Sequence, residues 1–170
     1  MVSDVEIRFE EKYDYAAIRA VNESAFGTPA EADLIERLRQ FAKPVVSLVA
    51  ILRRSVVGHI MFSPVTIVEH PEKKIMGLAP MAVAPAYQRR GIGAALVREG
   101  LKRVAELDIG AVVVLGHPSY YPRFGFVPAG DFDIRCEFDA PPEAFMAIEL
   151  RPGYLKNASG VAKYHQVFQE

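Results

Sequence analysis

The sequence predicts an α/β fold: a mixed, mostly antiparallel sheet flanked by helices and splayed at its central strand near Pro80. Three observations predict it. Residues 45–85 hold three apolar, strand-like runs joined by short polar turns, the texture of an antiparallel meander. A strand, a glycine-led helix and a second strand then occupy residues 75–116, and a unit of that length implies a parallel pair with the helix covering the sheet. Pro80 stands inside the central run, and a residue with no N–H cannot complete a ladder, so neighbouring strands are expected to bulge or part there.

The elements follow in order. "VEIRFE" (5–10) alternates and opens a strand. In "YDYAAIRAVNESAF" (13–26), Tyr15, Ile18, Val21, Asn22 and Phe26 recur at helical spacing, with Asp14 placed to cap. "GTP" ends that helix, and a second runs from about Ala30 to Phe41 on an apolar stripe of Leu34, Ile35, Leu38 and Phe41. The meander reads "VVSLVAIL", a turn at "RRS", "VVGHIMFSPVTIV", a loop at "EHPEKK", and "IMGLAPMAVAP". A helix from "GIGAALVREGLKRVAELD" places Ile92, Leu96, Leu101, Val104 and Leu107 on or near one face and stops at Gly110, before the strand "AVVVLG" (111–116). One short helix is expected between Pro118 and Gly125, then strand segments around 126–127, 133–138 and 144–150. The turn-rich end with its spaced Tyr154, Tyr164 and Phe168 reads as a packed tail, with those rings in the core or at a dimer contact.

Composition bounds the function. A chain of 170 residues with 51% hydrophobic and 24% charged types can bury a core, which makes a single domain over 1–170 the expectation. A net charge of -1 gives no global pull toward nucleic acid or an anionic membrane, so any anion recognition must be local. The aliphatic runs at 45–52 and 109–115 fall far short of the roughly 18 residues that span a bilayer. The first residues alternate charged and apolar types, unlike a secretory signal. Cys136 is the sole cysteine, without a Cys-His signature, and reads as a small buried side chain in a reducing cytoplasm. His59, His70, His117 and His165 lack metal-ligand spacing, so no metal site is expected.

The local anion seat is "QRRGIG" (88–93). A helix start offers unpaired N–H groups and a positive dipole end, glycines let backbone approach a ligand, and two arginines add charge. A dinucleotide fingerprint is excluded because Leu96 stands at its third glycine position and "APAYQRR" intervenes after the strand; a P-loop is absent. With Pro80 opening the sheet, an amide-containing ligand can pair with the central strand while its phosphates reach the glycines. An amide-rich arm with a diphosphate describes coenzyme A.

The string "APMAVAPAYQRRGIGAALVREGLKRV" resembles the acyl-CoA motif of the GNAT superfamily of N-acetyltransferases, Q/R-x-x-G-x-G/A at a helix start. "LGHPSYYPRFGF" is similar to the superfamily's next block, Y-x-x-x-G-F, and the chain as a whole looks most like its YhbS-like branch. The resemblance implies acetyl-CoA as cosubstrate and acetyl transfer to a small-molecule, peptide or protein amine by direct attack in a ternary complex. It also implies backbone contacts from Met81, Ala82 and Val83 to the pantetheine arm. Gln88, Arg89, Arg90, Gly91, Ile92, Gly93 and Ala94 would wrap the pyrophosphate. Tyr121 takes the place of the phenol that protonates the leaving thiolate, with Tyr120 as its neighbour, and a homodimer is common in that superfamily. Some members use a central-strand glutamate as base, but "GLAPMAV" contains no acid. His117, Glu31 and His59 are the candidates for that role, each with a structural alternative as turn, cap or core residue, and Ser63 is a candidate to line the acceptor cleft. The alternative to turnover is a degenerate module that binds CoA as a sensor or partner.

Overall fold

The computed structural model describes residues 4–169. Strand β1 (Glu6–Phe9) leads through a single-turn 3-10 segment into helices α1 (Tyr15–Phe26) and α2 (Ala30–Phe41). Asp14 does not cap α1 with its side chain; it accepts Glu11 N at 2.7 Å and pairs with Arg8 at 2.7 Å, which fastens the start of α1 to β1. Gly27, at φ 76°, ends α1 in the left-handed region that glycine enters at least cost.

The meander is β2 (Val46–Leu52), β3 (Ser55–Ile67) and β4 (His70–Val83), and β1 pairs antiparallel with β2. The loop expected at "EHPEKK" shrinks to residues 68–69, because β4 begins at His70 as the partner of Ile67. Helix α3 (Ile92–Ala105) crosses to β5 (Ala111–Leu115), which lies parallel to β4. The short helix expected after Pro118 is a 3-10 turn at Tyr121–Phe124, closed by Gly125 at φ 102°. Strands β6 (Val127–Pro128), β7 (Ile134–Cys136) and β8 (Phe145–Glu149) follow, and the main path of the sheet runs β1-β2-β3-β4-β5-β8-β6.

The C-terminal segment is more than a packed tail: Gly160–Tyr164 forms β9, antiparallel to β3 and parallel to β7. Its place is set by strand length. Strand β2 ends opposite Phe62, so residues 65–67 of β3 would carry unpaired backbone groups, and β9 supplies their partners. No pattern within "SGVAKYHQ" announces this, since the strand exists through what it pairs with.

Each sheet face has its own cover. Leu48, Ala50, Ile60, Phe62, Leu78 and Met76 pack with Ile92, Leu96, Val97 and Val104 of α3. Val49 and Met61, on the other face, pack with Ile18, Ile35 and Leu38 of α1 and α2. Alternate residues of β3 thus divide between two helical layers, the period-2 rule of a strand buried on both sides.

Candidate active site

Strands β4 and β5 pair only at 75–77 with 111–113; beyond Gly77 and Val113 they part. The register between β3 and β4 slips by one residue between Ile60 and Phe62, so β4 carries an extra residue around Ala79 and Pro80. The peptide bond between those two is cis. This is the splay expected at Pro80. Among the described residues, none forms a strand on the far side of 78–83.

The alternation of the ladder says which backbone groups face the opening. Ala84 N donates to Val57 O at 2.8 Å, so residue 84, and with it Ala82, turns its N–H and C=O toward β3. Met81 and Val83 therefore point theirs outward. Ala82 faces His59 across the pair and is 4% exposed, whereas the side chains of Met81 and Val83 are half-buried on the α3 side.

A groove of about 520 Å³ runs from this edge to the start of α3. Met81 and Val83 form one wall; Tyr87, Gln88 and Arg89 follow in the loop; Gly91, Ile92, Gly93 and Ala94 present the helix start; Tyr120 and Arg123 close the far side. Gly91 is the N-cap of α3 at φ 84°, and a Cβ there would meet nothing within 4 Å, so the space before it is open. A Cβ on Gly93 would stand 3.3 Å from Tyr120 Oη and 3.6 Å from Met81 Cε, so even one methyl narrows the groove. Among the described residues no side chain caps α3, which leaves its first N–H groups for a ligand.

Of the residues picked from sequence, the groove gathers Met81, Val83, Gln88, Arg89, Gly91, Ile92, Gly93 and Ala94. Gln88 has a bracing contact the sequence did not suggest: its Nε2 donates to Val83 O at 2.9 Å and ties the loop to the end of β4. Arg90 lies outside the lining and stacks over Tyr87, 5.4 Å from the ring centre. Tyr87 and Arg123 were missed. Both sit within quoted motifs, but only the fold turns them inward; Arg123 lies over Tyr120 at 4.4 Å and donates to its carbonyl at 2.8 Å.

Tyr121 is buried, its ring against Gly116, where a Cβ would come within 2.5 Å of Tyr121 Cε2. Burial, with Tyr120 beside it, pushes its phenol up to about 12. It therefore remains protonated throughout the neutral range. Tyr120 makes an edge-to-face contact with it at 5.1 Å and is the one of the two that lines the groove.

The three candidate bases are dispersed. His117 is exposed and starts a turn, its carbonyl accepting Tyr120 N at 3.1 Å. Glu31 accepts Thr28 Oγ1 at 3.1 Å at the start of α2. His59 is fully buried, with Nε2 2.9 Å from Ser47 Oγ and Nδ1 3.4 Å from Asn22 Nδ2. Ser47 donates to Glu10 at 2.6 Å, and Arg39 holds both oxygens of that carboxylate at 2.9 Å. Burial would raise the Glu10 pKa, but the hydrogen bonds from Arg39 and Ser47 outweigh it and hold the carboxyl below its ordinary value. Ser63 is also fully buried. Among the described residues, no three His, Cys, Asp or Glu side chains gather to hold a metal ion, and no helix is long and apolar enough to cross a membrane.

Burial brings His59 down to about 4 from 6.5. The unfolded chain binds this proton more readily, so the stability of keeping the ring neutral is present above 6.5 and is lost as pH falls toward 4. We expect the urea midpoint to fall across that window, and His59→Gln to flatten this part of the profile. An unchanged slope in the variant would move the effect to other groups. The Glu10 contribution is distinct, being lost only as pH falls through its own depressed pKa.

A profile described as the Acetyltransferase (GNAT) family matches residues 13–126. The chain is 36% identical over 163 residues to the uncharacterized N-acetyltransferase YhbS of Escherichia coli K12, covering 95% of this chain and 97% of that one. It is 40% identical over 137 residues to the uncharacterized N-acetyltransferase YjhQ of the same strain, covering 78% and 76%. The crystal structure of Escherichia coli YhbS in complex with CoA superposes with a TM-score of 0.92 at 34% identity, over 100% of this chain and 94% of that one. A GNAT family acetyltransferase from Brucella melitensis, solved with acetyl-CoA, gives 0.79 at 36% identity over 96% and 97%. With its glycine-led helix start beside a splayed central strand, the chain belongs to the GNAT family of acetyltransferases.

Proposed function

We propose that the whole chain, 1–170, is one acetyl-CoA-dependent N-acetyltransferase domain that passes an acetyl group to a primary amine by direct attack. The observation that carries this reading is the meeting of two unsatisfied backbone surfaces in one groove: the outward edge of β4 at Met81 and Val83, and the uncapped start of α3 at Gly91 and Gly93. Relatives solved with CoA and acetyl-CoA support the choice of ligand.

Met81 and Val83 would pair with the amides of the pantetheine arm as an added strand does. The N–H groups around Gly91 and Gly93 would hold the pyrophosphate, with Arg89 and Arg123 supplying charge at the rim. The thioester supplies the acetyl carbon. A neutral amine attacks it, the C–N bond forms and the C–S bond breaks; Tyr121 gives its proton to the sulfur, and water takes the proton released by the amine. Burial that raises the phenol also raises a thiolate beside it, so the two remain matched for that transfer.

The test is thiol release from acetyl-CoA over a panel of primary amines. Acceptor-dependent release is expected, with kcat falling about a hundredfold in Tyr121→Phe and CoA affinity nearly unchanged. Tyr120→Phe, on the groove wall, should raise the KM for acetyl-CoA instead. A loss under about tenfold in Tyr121→Phe would take the acid role from Tyr121. CoA binding without release by any amine would leave a binding module in place of an enzyme.

A further inference from the structure

Two buried hydroxyls at the base of the splay lack a hydrogen-bond partner among the described residues: Ser63 Oγ and Tyr164 Oη. Leaving a buried hydroxyl unpaired costs about 1–3 kcal/mol, so two on one small face call for something that completes them.

Register fixes their place. Ser63 is opposite Gly77, and Gly77 with Val113 is the last pair before β4 and β5 part. Tyr164 on β9 is opposite Val65, two residues from Ser63 and on the same face. Its ring lies across Gly77, where a Cβ would come within 2.6 Å of Tyr164 Cε2 and 2.8 Å of Val65 Cγ2. Any larger residue at 77 would displace that ring. The α3 groove is on the opposite face of the sheet.

We propose that Ser63 Oγ and Tyr164 Oη receive the amino group of the acceptor, held as the neutral amine with its lone pair toward the thioester carbon. This rests on the acetyltransferase reading above. Both oxygens can accept an N–H, and neither is an anion that would favour an ammonium. The rings of Phe138 and Phe168, 5.7 and 5.1 Å from that of Tyr164, keep the surroundings apolar. The neighbouring carboxylate, Glu137, is engaged by Tyr164 N and by Gln169 Nε2, each at 2.6 Å. Ser63 and Tyr164 are thus positioning residues that orient the nucleophile, a task distinct from proton removal.

The full chain crystallised with CoA, with and without n-propylamine at alkaline pH, tests this directly. A water, replaced by the amine nitrogen when n-propylamine is present, is expected within hydrogen-bond distance of both hydroxyls and next to the CoA sulfur. A sulfur remote from the two hydroxyls, or hydroxyls paired with protein groups, overturns the proposal alone; no CoA bound at all overturns the acetyltransferase reading and this with it. In solution, Tyr164→Phe and Ser63→Ala should raise the KM for n-propylamine about tenfold and leave CoA affinity within twofold, with Ser63→Thr restoring the loss. Equal losses in both affinities, not rescued by Ser63→Thr, would mark a merely structural role and refute the assignment.

Discussion

Gly91→Glu is expected to abolish the heat stabilisation that CoA confers on the unsubstituted protein. A ligand at a hundred times its Kd stabilises the folded state by about 2.7 kcal/mol, a shift of several degrees in a chain of this size. The variant should still fold: nothing lies within 4 Å of the added Cβ, and the left-handed φ of 84° costs a non-glycine residue about 1 kcal/mol. A carboxylate at the start of α3 meets the same N–H groups and dipole that would hold a diphosphate, so it competes for the seat and repels the ligand. Gly91→Ala separates these causes, since it carries the backbone cost without the charge and should keep most of the CoA shift. Arg89→Ala, which removes one rim charge, should weaken binding only severalfold. Differential scanning fluorimetry at millimolar CoA reads all three, and a full CoA shift in Gly91→Glu would remove the pyrophosphate from this loop.

The largest effect on stability is expected at Gly100. Alanine is the better helix former by about 1 kcal/mol, so propensity alone predicts that Gly100→Ala stabilises α3. Packing reverses the sign. A Cβ at position 100 would stand 2.6 Å from Cζ of Phe62, which is fully buried at the centre of the face that α3 covers. The ring is enclosed on all sides, and overpacking of this kind costs about 1–3 kcal/mol. The urea midpoint of Gly100→Ala should therefore fall, and Phe62→Leu in the same chain should cost less than it does alone, because the smaller side chain relieves the clash. A stabilised Gly100→Ala would show that α3 can lift from β3.

The order of strands and helices, the parallel β4–β5 pair and the splay at Pro80 were legible because each rests on a local cause: alternation, helical spacing, a helix too long for a hairpin, a residue with no N–H. Gly91 and Gly93 were legible for the same reason, since helix-start chemistry lies within a few consecutive residues. Which of Tyr120 and Tyr121 lines the groove was not. Adjacent in sequence, they part into groove and core according to how one 3-10 turn sits on Gly116.

What the sequence determined by itself was the fold class and the glycine-led helix start, both products of short-range pattern. Tertiary structure alone decided which backbone groups of β4 face the opening, that residues 160–164 become a strand, and that the ring of Tyr164 lies against Gly77, the partner of Ser63. Those outcomes depend on register and on the lengths of distant strands. A hydroxyl a hundred residues along the chain has no periodicity by which to announce its partner.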